Sequence, residues 1–174
     1  NVPDELIRKL PREMLASALF ADDALRELVN NYKKRSDFAN TIFIITGDHA
    51  NNFNVQNPYI EEYLVPLIIY SPLLTSPAEF RGVCSHIDIL PSLLGLLKNN
   101  YGLEVPQYSH WVGMGLDTSR NFNAENIVPL TIFGNDAASF IYRNHLVMSG
   151  NAYRLDSDLR LTPEKDTNTV KELF

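Results

Sequence analysis

Cysteine is nearly absent from this 174-residue sequence. Cys84 stands alone, so no disulfide can form within the chain. The redox compartment stays open, since oxidising compartments also hold proteins without bridges. Long apolar runs are missing too. The longest, Ile89 to Leu97, is broken by Pro91, Ser92 and Gly95 and falls well short of the roughly 20 apolar residues of a membrane span. Basic side chains are outnumbered, 15 Lys and Arg against 21 Asp and Glu. The resulting charge of −6 argues against nucleic acid or an anionic membrane surface as partner, because both need clustered cations. No signal peptide, internal repeat or low-complexity tract stands out. The chain opens on Asn1-Val2-Pro3 without an initiator Met, as a trimmed or excised piece would.

What remains suffices for a folded domain. Apolar residues make up 45%, which excludes disorder, and the length matches one domain at about 150 residues each. Acidity concentrates in the middle: residues 37–110 carry seven acidic and two basic side chains. A bound cation would be welcome there, and a solvated acidic face is the plainer explanation.

Spacing predicts the elements. Met14, Ala18, Ala21, Leu25, Leu28 and Tyr32 draw one apolar stripe over five helical turns, with Lys33, Lys34 and Arg35 in the last turn facing the negative end of the dipole. Thr41 to Thr46 is a β-branched and aromatic run without polar alternation, and Val65 to Tyr70 reads the same way, with Pro66 tolerable only at a strand start or edge. Strands apolar on both faces belong inside a mostly parallel sheet. A second helix is expected over Ile87 to Lys98, with Asp88 as N-cap, Pro91 in the first turn and Leu90, Leu93, Leu94 and Leu97 buried. Short strands at Val128 to Phe133, Phe140 to Tyr142 and His145 to Met148, and a strand or hairpin over Asn151 to Leu161, predict a small antiparallel appendage. The fold class is therefore α/β: part of a doubly wound, mostly parallel sheet with flanking helices, plus a C-terminal antiparallel β appendage.

The sharpest chemical feature is Thr46-Gly47-Asp48-His49, at the carboxyl end of the first strand. Ligands gather at such strand ends in open α/β sheets. A carboxylate beside an imidazole suits Zn, Mn or a similar divalent ion, and Gly47 lets the backbone turn so that both point into the crevice. Taken alone, the dipeptide reads more readily as an ordinary turn or cap.

In order and spacing, the helix ending near Lys34, the strand Ile42-Phe43-Ile44-Ile45-Thr46-Gly47-Asp48-His49, the strand Val65-Pro66-Leu67-Ile68-Ile69-Tyr70-Ser71-Pro72 and the segment Ser85-His86-Ile87-Asp88-Ile89-Leu90-Pro91-Ser92 resemble the sulfatase-like branch of the alkaline phosphatase superfamily. That resemblance implies a doubly wound sheet and makes Asp48 and His49 ligands of one or two divalent ions (Mn, Zn, Mg or Ca). It also implies an anionic phospho- or sulfo-ester substrate and an extracytoplasmic setting, periplasmic or at the cell surface, with a parent protein that is membrane-anchored in some relatives. Residues 1–110 then form the C-terminal portion of a catalytic domain and residues 111–174 its β-rich extension. Relatives place the nucleophile and the remaining ligands upstream, so the fragment alone is expected to be inactive and prone to self-association. Its partner would be the missing N-terminal half. Cys84 lacks the Cys-x-Pro-x-Arg context of a sulfatase nucleophile and reads as an ordinary small residue.

The wording of the motifs looks more like the lipoteichoic acid synthase or phosphoglycerol transferase group. Sulfatase hydrolases carry a Lys soon after the metal pair and a Glu-Gly-Gly-x-Arg stretch before the Val-Pro strand. Here Glu61-Glu62-Tyr63-Leu64 occupies that stretch, and no Lys or Arg lies between His49 and Arg81. A sulfatase, or a non-catalytic scaffold or degenerate module, are the alternatives. Ala50, where relatives have Gly, and Ser92, where they have Thr, depart from the pattern. Substrate-binding candidates are His86, Arg81, Asn51, Asn52, His110 and Trp111. His145, in an expected strand, reads as structural.

Overall fold

The computed structural model describes residues 7, 10–50, 58–106, 110, 112–130 and 139–173. The chain divides into two compact units, Asn1–Pro77 and Ala78–Phe174.

In the first unit, helix α1 spans Arg12–Tyr32 as the spacing predicts, yet none of its residues is buried. Met14, Leu25 and Tyr32 are half-covered, whereas Ala18, Ala21 and Leu28 of the expected stripe are exposed and Val29 is half-covered in place of Leu28. The helix also stops earlier than its basic cluster. Lys33 caps it, Lys34 donates to the Asn31 side chain at 2.9 Å, and Arg35 grips Asp37 through two bonds of 2.9 and 2.8 Å. Those cations therefore organise the following turn rather than the last helical one.

Strands β1 (Phe43–Thr46) and β2 (Leu67–Tyr70) pair antiparallel, with Phe43 opposite Tyr70 and Thr46 opposite Leu67. Pro66 precedes β2, where its missing amide costs nothing. One face is stitched by rings: Tyr32 meets Phe43 edge-on at 5.1 Å, and Phe43 lies 5.9 Å from Tyr70. Such pairs add about 0.5–1.5 kcal/mol each beyond the area they bury. Ser71, itself buried, donates to Thr41 O at 2.7 Å and accepts from Leu73 N, fixing the exit of β2 against the entry of β1.

The expected parallel, doubly wound sheet is not found among the described residues. Both sheets among the described residues are antiparallel, and the parallel pairing there is an isolated bridge, Gly82 to Asn123. The apolar runs at β1 and β2 report that neither strand alternates, which says nothing about direction. A connection of twenty residues serves an antiparallel return as well as a crossover. All four residues of β2 are exposed, so the run does not mark burial on two faces among the described residues.

The second unit holds most of the core. After the 3-10 turn His86–Asp88, helix α2 runs over Ile89–Tyr101 and ends at Gly102, whose φ of 66° supplies the left-handed C-cap. Leu93, Leu94 and Leu97 are half-covered and Leu90 is exposed, so the expected stripe is only partly used. Strands β3 (Val128–Leu130), β4 (Ser139–Tyr142), β5 (His145–Met148), β6 (Asn151–Leu155) and β7 (Leu161–Pro163) form an antiparallel meander in that order. This is the expected appendage, including the hairpin over Asn151 to Leu161. Two of its turns place Arg143, Asn144, Ser149 and Gly150 at positive φ, as tight hairpins require. A short helix α3 (Thr167–Leu173), absent from the sequence reading, is capped by Asp166, which accepts the amide and hydroxyl of Thr169. Leu173 of α3 packs with Val147 and Ala152.

Glu164 ties these pieces together. Its side chain, 5% exposed, accepts His145 Nε2 at 3.0 Å, Arg154 Nη2 at 2.9 Å and the amides of Lys165 and Asp166. The amide of Asp166, then His145 and Arg154, hold its pKa down at about 2. His145, buried in β5, is structural as expected. A carboxylate with a depressed folded pKa stabilises above its unfolded value and loses that contribution as pH falls through the folded one. Thermal melts from pH 7 to pH 2 should therefore show the Glu164 contribution intact down to about pH 4.5 and lost towards pH 2. Glu164→Gln should lower the melting temperature at pH 7 and flatten that acid limb. An unchanged acid limb in Glu164→Gln would refute this role.

Candidate functional site

Strand β1 ends at Thr46 and releases Gly47, Asp48 and His49 beside the entry to β2. Gly47 sits in a tight space and uses no special dihedral freedom. A Cβ there would lie 3.3 Å from Val65 Cγ1 and 3.4 Å from His49 O, and its φ is not among the positive values. Ala50 likewise adopts no positive φ, so replacing a Gly there demands no special backbone.

Asp48 and His49 project into solvent, their side chains 92% and 81% exposed. His49 N donates to Asp48 Oδ1 at 3.0 Å, and His49 Nδ1 lies 2.9 Å from Ala50 O. When Nδ1 carries the proton and donates to that carbonyl, the lone pair of Nε2 faces outward. Nε2 and Asp48 Oδ2 are 3.8 Å apart. The bond to Ala50 O, and secondarily the charge of Asp48, raise the pKa of the imidazole.

This pair fits a divalent cation. Metal–nitrogen and metal–oxygen bonds of about 2.0–2.2 Å can bridge such a gap through one ion. The donor set is nonetheless incomplete: among the described residues no group of three or more His, Cys, Asp or Glu gathers around a common point.

The other described candidates, Arg81, His86 and His110, belong to the second unit. Arg81, in the second unit, pairs through Nε with Glu79 Oε1 at 3.0 Å, and its amide donates to Ser119 O. His86 is exposed in the 3-10 turn before α2, and His110 is exposed further along the same unit. Asn51, Asn52 and Trp111 lie outside the described residues.

Three residues near His86, namely Asp88, Ser92 and Cys84, accept backbone amides from a distant segment. Asp88 holds the N-cap position of α2, as expected, but its side chain makes no capping bond to that helix. Its buried carboxylate turns back to accept Ser85 N at 2.8 Å and reaches across to Met114 N at 2.9 Å and Gly115 N at 3.3 Å. Ser92 Oγ accepts Leu116 N at 2.6 Å. Cys84 Sγ accepts Asp117 N at 3.0 Å, and burial pushes its thiol pKa up.

The family model described as Sulfatase matches residues 6–99, more than half of the chain, and the chain belongs to the sulfatase family within the alkaline phosphatase-like superfamily. Its members are typically hydrolases or transferases and generally use a divalent metal. Searches of curated proteins and of solved structures return no match. Among the described residues no helix is long and apolar enough to cross a membrane.

With its thiolate disfavoured and its sulfur engaged, Cys84 should react with iodoacetamide at pH 8 more slowly than free cysteine. Reaction at or above the rate of free cysteine would contradict its reading as an ordinary, engaged residue.

Proposed function

We propose that Asp48 and His49 are ligands of a catalytic divalent ion and that the chain is the metal-binding, C-terminal part of a phosphoglycerol transferase-like enzyme acting on phospho-esters outside the cytoplasm. The observation that carries this reading is the exposed carboxylate–imidazole pair at the end of β1, 3.8 Å apart, with His49 Nδ1 beside Ala50 O so that Nε2 is available. Two ligands are fewer than the three or four that such an ion needs, so this reading requires further donors, and a nucleophile, beyond the pair. When bound, the ion supplies positive charge for the transferring group. Within the chain, Asp48 contributes one anionic oxygen, His49 one neutral nitrogen, and the Ala50 carbonyl orients the ring.

The absence of Lys or Arg between His49 and Arg81 favours the transferase over a sulfate-gripping hydrolase. The match to the Sulfatase model supports a second reading, hydrolysis of a sulfate ester. The anionic ester is the substrate in both readings.

The test uses the full-length protein. Metal analysis should find one or two divalent ions per chain. Asp48→Ala and His49→Ala should each lower metal occupancy and reduce ester turnover by about 100-fold or more, because each removes a direct ligand. Release of glycerol phosphate marks the transferase and release of sulfate the hydrolase. A full-length protein without divalent ion, whose Asp48→Ala variant keeps full turnover, would overturn the reading.

A further inference from the structure

Strands β4 and β5 are joined by Arg143 and Asn144 alone, with Tyr142 opposite His145, and both turn residues hold positive φ, 47° and 57°. Arg143 is neither glycine nor asparagine, so its backbone angle costs energy that the surroundings must offset. The next residue supplies a contact that does so. His145 Nδ1 lies 2.7 Å from Arg143 O, while at the other side of the ring Nε2 lies 3.0 Å from Glu164 Oε2. Each nitrogen of the ring therefore faces an acceptor, a carbonyl at one and a carboxylate at the other.

That arrangement selects a protonation state. Neutral imidazole has one N–H and one lone pair. With the proton on Nε2 the lone pair meets Arg143 O, and with the proton on Nδ1 it meets Glu164 Oε2. The side chains of His145 and Glu164 are only 11% and 5% exposed, so water gives either clash little relief. The imidazolium donates to both oxygens at once. Charged groups reach this cluster from four sides. Glu164 follows β7, and its other oxygen is held by the amides of Lys165 and Asp166. Arg154, opposite His145 on β6, reaches the same Oε2 at 2.9 Å on a largely exposed side chain. The Arg143 guanidinium turns away, over the Tyr142 ring of β4 and onto Glu172 of α3 at 3.2 Å. Asp166, at the start of α3, is engaged by Thr169.

We propose that His145 is a proton-operated clasp: protonated, it pins the Arg143–Asn144 turn to the Glu164 junction from which α3 departs, and loss of one ring proton releases both. What the clasp controls is the docking of α3, whose Leu173 packs with Val147 and Ala152 while Val170 lies against the same cluster. The sign follows from the form that fits. An unfolded histidine titrates near about pH 6.5, so the contribution is complete below that value and is lost as rising pH takes the second proton from the folded ring. The acid limb of this unit then belongs to the Glu164 carboxylate and an alkaline limb to the His145 imidazole.

The experiment uses the full-length protein, isotope-labelled for NMR. Long-range nitrogen–proton spectra separate the four imidazoles, and the signals missing in His145→Gln identify His145. At pH 7 both of its ring nitrogens should carry protons; one bare nitrogen at that pH overturns the proposal. The second readout is hydrogen-exchange protection in α3, including the Val170 amide that donates to Asp166 O, taken relative to an unstructured chain at the same pH. Protection should fall about tenfold from pH 6 to pH 9 in the natural protein and change less than about twofold in His145→Gln. Protection that holds in the natural protein, or falls equally in both, overturns the clasp. Should His145→Gln fail to fold, through-bond correlation assigns the ring, and the natural protein decides alone. Loss of α3 protection should follow the loss of the ring proton with the same midpoint, and separate midpoints overturn the proposal.

Discussion

The candidate metal pair depends on the short, uncharged strand that delivers it. Phe43 to Thr46 is fixed by its ladder to β2, by Phe43 between the rings of Tyr32 and Tyr70, and by the Ser71 hydroxyl on Thr41 O. Each of these acts on the strand rather than on the site. Together they decide where Thr46 stops, and therefore where Asp48 and His49 emerge. Gly47 then passes close under Val65, so the pair leaves beside the entry of β2 without an unusual backbone angle. The energies are modest individually, of the order of 1 kcal/mol for a ring pair or a hydrogen bond, and they matter because they converge on four residues.

The second unit solves a different problem, the docking of a strap that has no secondary structure of its own. Backbone amides outside a helix or sheet still need acceptors. Cys84, Asp88 and Ser92 provide them in series, which explains why a thiol, a carboxylate and a hydroxyl are tolerated facing a half-buried seam. Glu164 does comparable work at the far end of the chain, where it gathers β5, β6 and the start of α3 around one anionic side chain. In both places an acidic group serves as a receptor for donors rather than as a surface charge.

Much of this was legible from residue order. The stripe from Met14 to Tyr32 and the run from Ile89 to Leu97 located the helices, and the turn-rich spacing after Val128 located the antiparallel meander. Thr46-Gly47-Asp48-His49 marked the candidate site, and its order with Val65-Pro66 and His86-Ile87-Asp88 marked the family. Strand direction was not legible, because apolar content reports environment and the pairing partner is chosen by the whole fold. The acceptor roles of Asp88 and Ser92 were hidden for a related reason: their donors lie 24 to 27 residues away, and only a folded chain brings them together. Asp88 in front of an apolar run looks like an N-cap by any local rule. Helix α3 left one readable sign, Asp166 ahead of Thr167-Asn168-Thr169, a cap whose following run was too short to register as a period.

The claim at the centre of this account is that one ion sits on Asp48 and His49. Anomalous diffraction from crystals of the full-length protein, recorded at the absorption edge of its bound metal, tests it most directly. The account predicts a peak within about 2.0–2.2 Å of both His49 Nε2 and an Asp48 carboxylate oxygen. A metal peak on other residues, with Asp48 and His49 outside its coordination sphere, would contradict it.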